Sequence, residues 1–219
     1  KKELKTKLLY DNFKKSNGLN HKLTLDVAFK LMDLYIIQYK LDKIDTILLD
    51  IENICSSEEH KKSYWFKYIQ MKAFCRWKQS KFKEALKLFK EMEQIIGPSS
   101  KLLENMGHTY NSLSDYKNAE KCFKQAIVYI EIEKKKNPDM NTNMGGLYLG
   151  LGLIKKRQGN IKEGLNELHK GLDWYTEHTG PNPHSLVAKA SMSVGQTYNE
   201  LKEYDKAIEH IKNAIDIFQ

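Results

Sequence analysis

Apolar residues in this chain recur at helical spacing and in a fixed register. The clearest unit carries Leu103, Met106, Gly107 and Tyr110 on one stretch, then Tyr116, Ala119, Phe123 and Ala126 on the next. Steps of three and four residues place each set on one face of an α-helix. The same offsets return in Gly195, Tyr198, Tyr204, Ala207, Ile211 and Ala214, and in Tyr148, Leu151, Gly152, Ile161, Gly164, Leu168 and Gly171. Upstream they return in Ile69, Ala73, Phe82, Ala85, Phe89 and Met92, with a degenerate copy in Met32, Tyr35, Leu41, Ile44, Leu48 and Ile51. Each unit predicts two antiparallel helices. A small residue in the first (Ala73, Gly107, Gly152, Gly195) lets the second approach, and another in the second (Ala85, Ala119, Gly164, Ala207) serves the reciprocal contact.

The joints between the two helices are short and polar: residues 79–81, 111–115, 158–160 and 201–203. Ser80, Ser114 and Asn160 are expected to cap the second helices, and Asn160 with Glu163 has capping-box spacing. Ser56 with Glu59 is expected to open a further helix in the same way. Residues 1–20 read as a helix and a turn ending at Asn17 and Gly18, with Leu4, Leu8 and Leu9 available to cover the first unit. Terminal units of a repeat array need such cover, because an end pair cannot bury its outer face. The basic run Lys134, Lys135 and Lys136 reads as the exposed end of an extended helix before Pro138.

This small–aromatic–small register resembles the tetratricopeptide repeat (TPR), and the resemblance covers about residues 22 to 219. It implies an all-α solenoid, a right-handed superhelix of antiparallel helix pairs. About five repeats are expected, at approximately residues 25–58, 66–98, 100–138, 140–180 and 184–219, after an N-terminal helix in residues 1–20 that caps the array or ends a preceding repeat. The reference positions Met32, Ala73, Gly107, Gly152 and Gly195 lie 41, 34, 45 and 43 residues apart. The usual repeat is about 34 residues, so three intervals contain lengthened helices or connectors. Such lengths resemble the extended repeats of kinesin light chain and of LGN-like proteins. The segment 180–188 also looks like the connector of kinesin-light-chain repeats, with its His and Pro exchanged and one residue added.

Composition alters this picture little. The net charge of +8 comes from 36 basic residues against 28 acidic ones, but only Arg76 and Arg157 are arginines. Such Lys-rich, Arg-poor usage fits an AT-rich coding bias, and dispersed Lys with scarce Arg disfavours nucleic acid as the partner. No run approaches the roughly 18 apolar residues of a membrane span, so no membrane insertion is expected. Cys55, Cys75 and Cys122 form no CxxC pair and sit among apolar helical positions, which points to buried thiols in a reducing, cytoplasmic setting. The chain starts with Lys1 and Lys2 and reads as part of a longer protein.

The resemblance places groove-facing positions on the first helix of each repeat. In this sequence they include Lys67, Gln70, Phe74 and Trp77 in the second repeat and Lys101, Asn105, His108 and Asn111 in the third. The fourth supplies Lys156 and Arg157, and the fifth Lys189, Gln196 and Asn199. An Asn side chain can both donate to and accept from an extended backbone, the aromatic rings can take an apolar anchor, and Lys can pair with acidic flanks. The implied function is a non-catalytic scaffold or adaptor. It would hold a protein, peptide or partner helix of acidic or mixed character, with a cytoskeletal link if the kinesin-light-chain likeness extends that far. The alternative is the peptide-sensing domain of a quorum-response regulator. A chaperone-carboxylate clamp is disfavoured, because no repeat carries the paired Lys and Asn and only Asn105 fits its second element. No metal-ligand, phosphate-loop or nucleophile motif stands in the chain, so no catalytic residue, metal or cofactor is expected. The glycines 145, 146, 150 and 152 are read as close helix packing, although each weakens a helix by up to ~1 kcal/mol relative to Ala.

Overall fold

The computed structural model describes residues 2–137, 142–178 and 185–218. Pro138 and most of the 180–188 connector lie outside the described residues. The helices form two compact units, Lys1–Gly97 and Pro98–Gln219. Unit 1 contains α1 (Lys2–Asn17), α2 (Lys22–Ile37), α3 (Leu41–Ser56), α4 (Phe66–Lys78) and α5 (Phe82–Ile96), with a π-helical turn at Lys61–Trp65 leading into α4. Unit 2 contains α6 (Ser100–Ser112), α7 (Tyr116–Lys136), α8 (Met144–Arg157), α9 (Ile161–His178), α10 (Ser185–Glu200) and α11 (Tyr204–Phe218). No strand occurs among the described residues.

The apolar register becomes the core. On α5 the stripe Ala85, Phe89 and Met92 is buried, and on α7 so are Ala119, Phe123, Ala126 and Ile130. In unit 2 the α7 stripe meets Leu103 of α6 and Leu147, Leu151 and Ile154 of α8 in one cluster. A second cluster joins Leu168, Leu172 and Tyr175 of α9 to Val187, Ala190 and Val194 of α10. Each fully buried side chain of this size contributes about 1.5–3 kcal/mol of transfer free energy, so the stripes, rather than helix propensity, hold the pairs. Cys55, Cys75 and Cys122 are buried. Burial pushes the Cys55 thiol up to about 12, and burial with the neighbouring Asp45 pushes Cys75 up to about 11.

The expected small-residue contacts are visible as backbone approach. A methyl group added at Gly152 would lie 2.8 Å from the Gly164 carbonyl oxygen, and one at Gly164 would lie 2.8 Å from that of Gly152. Gly195 faces the Ala207 carbonyl at 3.1 Å in the same sense. Gly145 and Gly150 lie against the rings of Trp174, Tyr175 and Phe123. The glycine cluster of α8 is therefore covered by protein, as close packing requires.

All five joints within the helix pairs have one conformation. Each is three residues long, and its middle residue is left-handed: Tyr39, Ser80, Ser114 and Lys202 at φ 56–63°, Gly159 at φ 88°. The third residue donates its N–H back to the carbonyl five positions earlier, as in Lys81 to Arg76 and Asp115 to Tyr110. Its own carbonyl then accepts the first bond of the next helix, from Ala85, Ala119, Gly164 or Ala207. The capping position is thus the third joint residue. Asn160 occupies it, but Ser80 and Ser114 fall one position early and serve as the left-handed residue instead; the caps are Lys81 and Asp115, the latter accepting from the Asn118 N–H at 3.2 Å. Ser56 likewise ends α3 rather than opening a helix. On α1, Leu4, Leu8 and Leu9 stay exposed, and Tyr10 is the residue buried against the unit.

Candidate functional site

In unit 1, α2 and α4 are the first helices of successive pairs and border an open cleft of about 480 Å³. Phe29 and Met71 are its buried apolar part. Asp26, Lys30, Asp33, Lys67 and Gln70 surround them. Phe29 stacks on Tyr64 at 6.0 Å, and the Tyr64 hydroxyl donates to Asp26 at 2.9 Å, which fixes one wall. The Lys67 ammonium lies 5.7 Å over the Tyr64 ring. Asp33 has no side-chain partner among the described residues, and partial desolvation raises its carboxyl above the ordinary range although the residue still touches solvent. Lys67 and Gln70 were expected here, and Asp26, Phe29 and Asp33 stand in the same register one repeat earlier.

Phe74 and Trp77 lie further along α4, outside the cleft's lining. Their rings, with Tyr39 from the α2–α3 joint, surround the Lys78 ammonium at 5.3, 5.3 and 4.9 Å, and Lys78 donates to the Tyr39 hydroxyl at 3.0 Å. The aromatic pair already holds a cation of its own chain. The Trp77 indole nitrogen is buried without a partner.

In unit 2 the expected residues divide into two groups. Some bind each other across neighbouring first helices. Arg157 of α8 donates to Asn111 of α6 at 2.7 Å, and Lys156 of α8 meets Glu200 of α10 at 3.0 Å. Lys101 pairs with Glu104 at 2.9 Å, and His108 packs edge-on against Phe123 at 5.0 Å. Desolvation, which outweighs the nearby Glu104, lowers the His108 pKa from the ordinary histidine value. The second group has no side-chain partner among the described residues: half-buried Asn105, and exposed Lys189, Gln196 and Asn199.

Two further features of unit 2 stand beside these, the first lined in part by the expected Lys101. A cleft of about 260 Å³ lies between the start of α6, Ile130 of α7 and the start of α8, lined by Ser100, Lys101, Glu104, Thr142, Asn143 and Leu147. On α7, Glu120 takes Lys124 at 2.7 Å, Lys155 at 3.0 Å and the Gln158 amide at 3.0 Å, clamping α7 to α8. Burial alone would raise the Glu120 carboxyl, but the bonds from Lys124, Gln158 and Lys155 prevail and hold it near about 2. Among the described residues no group of three or more His, Cys, Asp or Glu could hold a metal ion, and no helix is long and apolar enough to cross a membrane.

The tetratricopeptide-repeat family profile matches residues 100–127 and 188–219. Those stretches are the pairs α6–α7 and α10–α11. No curated protein matches the chain in sequence. Among solved structures, BtubC (BKLC) from P. vanneervenii superposes with a TM-score of 0.73 at 11% identity, over 99% of this chain and 88% of that one. A Podosopora anserina protein of kinesin-light-chain type, with nearly identical TPR-like repeats, gives 0.66 at 13% identity, over 88% of this chain and 94% of that one. YrrB, described as a TPR protein with an unusual peptide-binding site, gives 0.57 at 16% identity, over 95% and 91%. At such identities the likeness is one of fold, and TPR repeats generally mediate protein–protein interaction. Two stretches of the chain thus match the tetratricopeptide repeat in sequence, and the joint common to all five helix pairs and the fold shared with these structures are those of a tetratricopeptide-repeat-like solenoid.

Proposed function

We propose that the chain is a non-catalytic adaptor whose first helices bind an extended peptide or partner helix. The observation that carries this reading is the cleft between α2 and α4. It combines an apolar floor, Phe29 and Met71, with amide and charged groups at its border, Gln70, Lys67 and Asp33. Such a surface takes one apolar anchor and reads polar groups on either side of it. In unit 2, Asn105 and the exposed Lys189, Gln196 and Asn199 supply the same kind of chemistry. The ligand for unit 1 is mixed in charge rather than simply acidic, because Asp26 and Asp33 stand beside Lys30 and Lys67. The peptide-binding description of YrrB, which shares the fold, agrees with this reading.

Selection of a displayed random-peptide library on the whole chain, followed by fluorescence polarisation with the enriched peptides, tests it. Lys67→Glu with Gln70→Ala should weaken peptides that bind unit 1 about tenfold or more. Asn105→Ala should do the same for those that bind unit 2, with the helical melting curve unchanged in both cases. Failure to enrich any peptide, or unchanged affinity in both variants, refutes the groove assignment.

A further inference from the structure

We propose that α9, α10 and α11 are joined by an acid-sensitive latch, built from His169, Tyr198 and His210, which keeps α11 closed at neutral pH and loosens it on mild acidification. Each helix contributes one ring, and all three rings are half-buried. His169 Nε2 lies 3.0 Å from the Tyr198 hydroxyl. The Tyr198 ring stacks on His210 at 5.6 Å, and the two imidazoles meet edge to face at 5.6 Å. His210 also sits beside the close approach of α10 and α11, since a methyl group added at Gly195 would lie 3.2 Å from its Cβ.

Hydrogen bonding sets the protonation of His210. The buried Ser191 hydroxyl donates to the His210 carbonyl at 2.9 Å. Its one proton is thereby used, so the 3.3 Å contact with His210 Nδ1 requires that nitrogen to carry the hydrogen. A proton added by acid goes to Nε2, and the charge it brings lies among groups that do not favour it. His169 faces it from α9, and Tyr198, whose ring already carries the Lys206 ammonium at 5.2 Å, faces it from α10. On α11 itself Lys206 is paired with Glu203 at 2.7 Å, and Glu209 favours the charged ring. Burial, then the field of His169, outweigh Glu209 and hold His210 below its ordinary value of 6.5. A detached or unfolded helix regains that value. The stabilisation is therefore whole above pH 6.5 and is lost as pH falls below it towards the folded value.

The loss falls on α11 because little else fastens it. Ala207 and Ala214 are its buried residues, against Gly164, Leu168, Gly171, Leu172 and Tyr175 on α9. A helix with so few buried contacts opens at lower cost than the unit as a whole.

Hydrogen exchange of the whole chain, resolved by NMR at about pH 7.5 and about pH 5.5 and corrected for intrinsic exchange, reads the latch. Protection of the α11 amides should fall about three- to tenfold, the upper figure being the limit for one excluded proton a pH unit below an ordinary histidine. The amides of α8, which carries no histidine, should lose less. His210→Phe keeps a ring on Tyr198 but takes no proton, and His169→Gln keeps a partner for the Tyr198 hydroxyl without the second imidazole. The first should abolish the acid loss at α11, and the second should reduce it. Unchanged protection of α11 in wild type, an equal loss at α8, or a loss undiminished in either variant overturns the latch.

Discussion

Replacing Gly152 by Ala sets two opposing effects against each other, and the structure decides between them. Ala is the better helix former by up to ~1 kcal/mol, so an uncovered Gly152 would predict stabilisation. The added methyl, however, would lie 2.7 Å from Leu168 Cγ and 2.8 Å from the Gly164 carbonyl oxygen. Leu168 is fully buried, and the carbonyl belongs to the α9 backbone, so neither can move aside alone. The helices must part by several tenths of an ångström, a gap that already forfeits a quarter to a half of each lost contact. Overpacking of this kind costs about 1–3 kcal/mol. The net expectation is a loss of about 1–2 kcal/mol, or roughly 3–6 °C in the melting midpoint of a chain this size. Circular dichroism melts and urea titration measure it. Gly164→Ala should behave alike, although Ala stands at the corresponding position in three other repeats. The double variant should lose less than the sum, because one separation relieves both clashes. Gly107→Ala is the milder comparison: the atoms nearest its methyl are those of the Phe123 ring, at 3.1 Å rather than 2.7–2.8 Å, and the loss should be smaller than at Gly152. A Gly152→Ala variant that melts higher than wild type would refute the close approach of α8 and α9.

The left-handed joints give an independent test. Lys202→Gly should stabilise by up to ~1 kcal/mol in urea titration, since the left-handed region costs a residue with a Cβ about 1–2 kcal/mol and greater chain entropy offsets part of that. Gly159→Ala, with nothing within 4 Å of the new methyl, should destabilise by about 1 kcal/mol through conformation alone. Glu120 predicts an acid-sensitive clamp. Its folded pKa is depressed to about 2 from 4.5, so its stabilisation, at most about 3 kcal/mol, is complete above the unfolded value and is lost as pH falls from about 5 towards 2. Glu120→Gln should flatten that part of the stability profile, and an unchanged profile would reject the clamp. Asn105→Ala should lower peptide affinity without moving the melt. Asn111→Ala also frees Arg157, so it should cost up to ~1 kcal/mol in the same melt.

The fold was legible because the register reports something geometry demands in every repeat: a small residue wherever two helices touch, and a large one a turn away. Degenerate repeat one still folds as a pair, since Ile44, Leu48 and Ile51 keep the stripe although Met32 stands in the small position. The joints were less legible. Serine is favoured both at helix caps and in turns, so Ser80 and Ser114 could be assigned to either role. Tyr39 and Lys202 give no local sign that they adopt a left-handed backbone.

The candidate site was legible only as far as position. Register says which face of a helix a residue occupies, and it placed Lys67 and Gln70 beside the cleft. It cannot say whether a side chain is already engaged, because that depends on residues distant in sequence: Asn111 with Arg157, 46 positions on, or Lys78 with Tyr39, 39 positions back. The distinction matters for binding. A ligand that takes a free amide exchanges water for a hydrogen bond, whereas one that takes Asn111 must first break a charge-assisted bond of 2.7 Å. Residues equivalent by position are therefore unequal in energy. Asn105, Gln196 and Asn199 should contribute more net affinity than Asn111, Lys156 or Arg157, and the latter three should act mainly to hold α6, α8 and α10 in the spacing that the free residues require.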